Sequence, residues 1–239
     1  SNVVEMIDGG YIVAGSTNSK DGDIVGKTDS LNRDIWIVKV NSTGNSIVWQ
    51  KVFKGLKEEE TNALIKTKNG DVVITGYTKS NDNDFPNNGN GANELSDIFL
   101  IRLSNSGNTI WSKMFNNHNN DYGKSVVETS DLGFFIGGAT GDSLELGRTL
   151  FVKVTSSGSL QWMKRLDAFT TGDSSYFGIN RMIVDSINSG YFLSGFASSN
   201  NYIESAAALK IDTNGNLVWK KVYSRSSPQS EFHGLISET

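Results

Sequence analysis

The sequence predicts an all-β protein, a β-propeller built of four-stranded antiparallel blades. Three observations carry this: a glycine-closed strand phrase that recurs four times, a second strand-turn-strand phrase in register behind each copy, and a composition unsuited to helix. The 239 residues include 25 glycines and 2 prolines. Short β-branched and aromatic runs are punctuated by Gly and Asn, with no sustained helical period.

The first phrase reads Asp8-Gly-Gly-Tyr-Ile-Val-Ala-Gly15 and returns as Asn69-Gly-Asp-Val-Val-Ile-Thr-Gly76, Asp131-Leu-Gly-Phe-Phe-Ile-Gly-Gly138 and Asn188-Ser-Gly-Tyr-Phe-Leu-Ser-Gly195, with closing glycines 61, 62 and 57 residues apart. Such spacing marks one supersecondary unit repeated. The second phrase places a basic residue (Lys39, Arg102, Lys153, Lys210) five positions before a glycine (Gly44, Gly107, Gly158, Gly215). A tryptophan (Trp49, Trp111, Trp162, Trp219) follows four or five positions after it.

Each unit divides into strands A to D. In the second unit these are Ala63–Thr67, Val72–Tyr77, Ile98–Leu103 and Thr109–Phe115. Asn69-Gly70 suits a tight A–B hairpin, because both residues tolerate positive φ. Strands B and C are near-continuous apolar runs, as expected of sheets covered on both faces. The repeats span about 3–62, 63–124, 125–180 and 181–233, with an extra A strand at 234–239. Propellers usually close with more blades than four, so the expected parent is a larger array, and the chain a single propeller domain or a fragment of one.

Strand alternation places turns A–B and C–D at one end and loops B–C and D–A at the other. The long segments, Asn18–Arg33, Lys79–Ser96, Lys54–Asn62, Asn116–Lys124, Asp167–Asn180 and Ser224–His233, all fall in the second group. That face is the expected binding face, with Asp121, Asp173, Glu231 and His233 as candidate residues. Two Asp-x-Asp loops, Asp21/Asp23 and Asp82/Asp84, each precede an Asp that opens strand C (Asp34, Asp97). Oxygen ligands so spaced suit calcium, although Asx-turns use the same residues. Calcium is the one cofactor expected as possible. Glu58-Glu59-Glu60 reads as a solvated loop, the tryptophans as wedges between blades, and the basic column as stem packing or cation–π contact. His118 reads as a surface residue.

The net charge of −4 and the lack of a basic run argue against nucleic acid. No apolar stretch is long enough to span a bilayer. Cysteine is absent, which excludes disulfides and thiolate chemistry.

The Gly…Trp elements resemble the repeats of quinoprotein-like (PQQ-type) propellers. The whole chain resembles more closely the tandem propeller repeats of secreted bacterial and archaeal surface proteins, in which phrases like Asp8–Thr17, Asp34–Val40 and Gly44–Lys51 alternate. The resemblance implies a non-enzymatic extracellular or cell-surface module that binds protein or carbohydrate or acts as a scaffold, as a monomer or within a longer chain. The alternatives are a polysaccharide-active hydrolase or lyase using carboxylates of the long-loop face, and an assembly scaffold of an envelope complex. No nucleophile elbow, P-loop or triad is present, so catalysis is not the leading expectation.

Overall fold

The computed structural model describes residues 2–28, 30–85, 95–141, 148–166, 174–187, 189–199 and 204–223, all of them strand, turn or loop. The strands are β1 (Val3–Glu5), β2 (Tyr11–Thr17), β3 (Asp34–Val40), β4 (Ile47–Phe53), β5 (Glu59–Lys66), β6 (Val72–Thr78), β7 (Asp97–Leu103) and β8 (Thr109–Phe115), followed by β9 (Asn120–Glu128), β10 (Phe134–Gly141), β11 (Arg148–Val154), β12 (Leu160–Leu166), β13 (Ser174–Val184), β14 (Tyr191–Ser199), β15 (Glu204–Ile211) and β16 (Leu217–Tyr223). They form four antiparallel four-stranded sheets in simple meander order, the blades of a propeller fold. The expected final strand at 234–239 lies outside the described residues.

The chain divides into two compact units, Ser1–Gly123 and Lys124–Thr239, with the division inside β9. In the first unit, β5 lies against β1, β2 and β3. Ile12, Ile35 and Ile37 of one sheet share a core with Leu64, Ile74, Phe99 and Ile101 of the next. In the second unit, Phe135 and Phe151 pack with Ile179, Leu193 and Leu209 in the same way. Burial on both faces explains why these strands read as unbroken apolar runs.

The C–D hairpin is built identically four times. Gly44, Gly107, Gly158 and Gly215 all adopt φ between 71° and 83°, and each N–H donates to the carbonyl three residues earlier. Beyond the turn, a register shift follows every basic residue, so that Lys39 faces Trp49, Arg102 faces Trp111, Lys153 faces Trp162 and Lys210 faces Trp219. The basic column has a partner that the residue types alone did not reveal. Each cation pairs with an aspartate of its own blade's A–B hairpin: Lys39 with Asp8, Arg102 with Asp71, Lys153 with Asp131 and Lys210 with Asp185. Cation–π contact accompanies this at Lys210, which lies 4.4 Å from the Phe192 ring.

The tryptophans act as wedges where a neighbouring blade is present in the same unit. A Cβ on Gly107 would meet Trp49 at 2.8 Å, and one on Gly215 would meet Trp162 at 2.7 Å. Trp219, on the last described strand, is 43% exposed.

Strand A differs from expectation. β5 starts at Glu59, four residues before Ala63, and carries a bulge at Asn62. β13 has the same irregularity at Asn180. The supposed solvated run Glu58–Glu60 is therefore the mouth of a strand, and Glu59 is fully buried. Polar residues here continue the ladder because their backbones pair with Gly76, Tyr77 and Thr78 at the end of β6.

Candidate functional site

The long-loop end of the first unit brings together a buried carboxylate cluster and an exposed charged and aromatic patch. Both are built on the start of β5. Alternation sends Glu59 inward and leaves Glu58 and Glu60 at the surface.

Inside, Glu59 Oε1 accepts from Thr78 Oγ1 at 2.8 Å and Ser80 Oγ at 2.6 Å, while Oε2 accepts from the Gly55 N–H at 3.1 Å. Its backbone N–H donates to the Arg33 carbonyl at 2.8 Å, which sets it beside Asp34 at the start of β3. Asp34 is paired with buried Lys27, whose ammonium also donates to the Asn32 carbonyl at 2.9 Å. Two carboxyls and one ammonium out of water would leave one negative charge uncompensated, a costly arrangement. Burial accordingly pushes the Glu59 carboxyl up to about 8, with Asp34 adding to the rise against the Ser80 and Thr78 hydrogen bonds. Near neutrality Glu59 thus keeps its proton, and the cluster it forms with the Lys27–Asp34 ion pair carries no net charge. Asp34 Oδ1 is buried with no donor facing it unless Glu59 carries that proton.

The next blade repeats the framework. The Asp121 N–H donates to the Ser96 carbonyl at 2.6 Å, and Asp121 Oδ2 accepts from the Asn117 N–H at 2.8 Å. Asp121 and Asp97 are both fully buried. Asp121, expected among the loop residues of the binding face, thus opens β9 and ties back its own loop.

The second Asp-x-Asp loop fastens neighbouring backbone, and the first is held by side chains. Asp84 Oδ2 accepts from the Lys54 N–H and Asp82 Oδ1 from the Leu56 N–H, both at 2.9 Å. Asp21 accepts from Ser19 Oγ at 2.7 Å, and the Asp23 carbonyl accepts from Gln50 Nε2 at 2.8 Å. Among the described residues no three His, Asp or Glu side chains gather as a metal would require. Asp173, Glu231 and His233 lie outside the described residues. His118 is exposed, in a left-handed turn at φ 60°.

Outside, Arg33 bridges the two half-buried glutamates: one guanidinium nitrogen lies 2.7 Å from Glu58 Oε1 and 3.1 Å from Glu60 Oε2. Lys79 reaches Glu58 at 3.1 Å, and the Tyr77 hydroxyl donates to Glu60 at 3.2 Å. The Tyr122 ring meets Tyr77 edge-on, with centroids 5.0 Å apart. Hydrogen bonds from Arg33 and Lys79 hold the Glu58 carboxyl below its ordinary value. Burial, then Glu60 and Glu58, pushes the Tyr77 phenol up to about 12. The patch therefore offers carboxylate acceptors, cationic donors, a phenol and an aromatic ring, a set suited to hydroxyl-rich ligands. The Glu58–Glu60 run was the available signal, masked by its resemblance to an ordinary solvated loop.

No protein-family model matches the chain, and no curated protein sequence does either. Solved structures share its fold. A protein of unknown function from Dyadobacter fermentans superposes with a TM-score of 0.56 at 12% identity over 89% of this chain, which spans 60% of that one. A thermostable family-43 glycoside hydrolase gives 0.54 at 12% identity, covering 96% of this chain and 76% of its own. The Hadza microbial sialidase Hz136 gives 0.56 at 10% identity, covering 96% of this chain and 46% of its own. No helix among the described residues is long and apolar enough to cross a membrane.

Proposed function

We propose that the chain is a propeller module that binds a hydroxyl-rich partner, a glycan or a polar protein surface, through its long-loop face without catalysing a reaction. The observation that supports this is the division among its carboxyls. Glu58, which meets solvent, is held ionised, whereas Glu59, which keeps its proton near neutrality, is sealed from any substrate. Glycosidic cleavage needs a protonated acid at the leaving oxygen. This patch supplies acceptors, with Tyr122 as an apolar platform. On the same reading the module works outside the cell, as the resemblance of its repeat phrases implies.

A second reading, a polysaccharide-active hydrolase, has support of its own. Proteins described as a family-43 glycoside hydrolase and a sialidase share the fold. Glu58 and Glu60 also contact one guanidinium nitrogen, which keeps their oxygens within about 6 Å, a limit that admits the roughly 5–5.5 Å spacing of retaining glycosidases. One experiment separates the two. The protein is incubated with a panel of soluble polysaccharides, and both retention on the polysaccharide and release of reducing ends are measured. Retention lost in Tyr122→Ala, with no sugar released, supports the binding module. Release abolished by Glu60→Gln with retention intact supports the hydrolase and overturns the binding reading.

A further inference from the structure

The second unit carries a groove at the opposite, short-turn end, between its two blades. About 300 Å³ in volume, it is lined by Asp131 and Lys153 of one blade with Trp162, and by Tyr191, Thr213 and Asn214 of the other. A volume of this order sits at the small end of ligand sites.

The groove exists because the second unit departs from the first at the same place in the repeat. Between the first two blades, Asn105 closes the gap: its side chain accepts from Lys39 Nζ at 2.6 Å and its carbonyl accepts from Trp49 Nε1 at 3.0 Å. Thr213 stands at the matching position, two residues before the turn glycine. Lys153 turns back into its own blade, donating to Asp131, Thr129 and the Val154 carbonyl. The indole has shifted too. Gly107 lies over Cδ2 and Cε2 of Trp49, at the ring fusion, whereas Gly215 lies over Cη2 and Cζ3 of Trp162, at the far edge. Among the described residues, the Trp162 indole N–H therefore has no acceptor.

Tyr191 replaces Val72, the first residue of strand B two blades earlier. Its ring stacks on Phe135 with centroids 4.1 Å apart and the residue is only 3% exposed. Its hydroxyl nevertheless makes no hydrogen bond among the described residues and lines the groove. The ring is buried while the hydroxyl opens onto the groove, where a ligand can reach it. Burial, with the Asp131 charge, pushes it up to about 12, so it is a donor at every physiological pH. Asp131, half-exposed at the lip, accepts. Burial raises its carboxyl, but hydrogen bonds from Thr129, Lys153 and the Gly133 N–H outweigh that and hold it at about 2.

From this geometry we infer that the groove binds the terminal ring of a neutral sugar. The ring hydroxyls meet the two unpartnered donors, Trp162 N–H and Tyr191 O–H, and the Asp131 acceptor, beside an aromatic edge. The lining charge sums to zero because Lys153 and Asp131 neutralise each other, which disfavours phosphates, carboxylates and cations.

The test is a titration of the full chain with glucose, galactose, mannose and xylose, each to 100 mM, following the Trp162 indole N–H resonance (assigned by its loss in Trp162→Phe). At least one sugar shifts that resonance with a millimolar Kd. Tyr191→Phe, which keeps the stack on Phe135, weakens binding roughly two- to tenfold, the worth of one hydrogen bond. Thr213→Trp, a filling change at an exposed position, abolishes it. Tyr122→Ala, on the other face, leaves it unchanged even if it removes polysaccharide retention, so the two sites fail separately. No shift with any of the four sugars, or a shift that survives Thr213→Trp, overturns the inference.

Discussion

If Glu59 carries the proton that makes its cluster neutral, the fold loses stability as pH rises through the physiological range, against the usual trend for carboxylates. In the unfolded chain Glu59 gives up its proton near 4.5, and in the fold near 8. Between those values the native state binds one more proton than the unfolded state, so stability falls with rising pH. The contribution is fully present below pH 4.5 and gone above pH 8. The slope is at most ~1.4 kcal/mol per pH unit, or ~3 kcal/mol between pH 5.5 and 8. The other shifted groups act elsewhere. Asp131, held at about 2, contributes stability that is present above its ordinary 3.8 and lost below it, while Tyr77 and Tyr191 act only above 10.

The variant Glu59→Gln tests this. Its amide oxygen keeps the Thr78 and Ser80 hydroxyls, its NH₂ stands in for the proton facing Asp34, and the Gly55 N–H loses its acceptor. That loss costs about 1 kcal/mol at every pH. The variant is therefore less stable than wild type at pH 5.5 and more stable at pH 8, so the two profiles cross between. Urea unfolding at half-unit steps, with amide exchange in β3 and β6 as the local reading, records both curves. A wild-type profile flat from pH 5.5 to 8, or a Glu59→Gln profile with the same slope, would refute the protonated-cluster argument.

Three further outcomes are expected. Gly44→Ala meets open space and costs ~1 kcal/mol for its positive φ, whereas Gly107→Ala adds a clash with the Trp49 ring and lowers the thermal midpoint clearly further by calorimetry. Lys210→Ala strands buried Asp185 and costs ~3–5 kcal/mol, while Lys39→Ala costs distinctly less, because Asp8 is 47% exposed and water can solvate it. Millimolar calcium leaves the thermal midpoint unmoved, since Asp82 and Asp84 already accept backbone N–H groups. A rise in that midpoint would restore the Asp loops as a metal site.

Strands B, C and D were legible because their signals are local. A glycine at positive φ, an apolar run and a tryptophan at fixed offset each act within a few residues, and their fourfold agreement sets the register. The ladder pairing Lys39 with Trp49 follows from counting through the turn. Strand A was legible only from Ala63 onward. Its opening residues are Glu59, Glu60, Thr61 and Asn62, of which only Thr favours strands, and the bulge at Asn62 separates them from the apolar residues that follow. What holds them is the edge of β6, a non-local partner.

The same locality explains the division within the site. The aspartates opening β3 and β7 stood out in the first two repeats and were absent from the last two, where Arg148 and Ser205 occupy the matching positions. Residue types alone could not show that Asp34 faces Lys27 and Glu59, because those contacts join a loop, a strand mouth and a neighbouring sheet. The groove in the second unit was hidden for the converse reason. It arises from what one repeat lacks relative to another, Thr213 where Asn105 stands, and a missing contact leaves no mark on composition or period. In a repeat protein the shared residues thus report the scaffold, and a chemically distinct site is to be sought where one blade fails to reproduce its sister's hydrogen bonds.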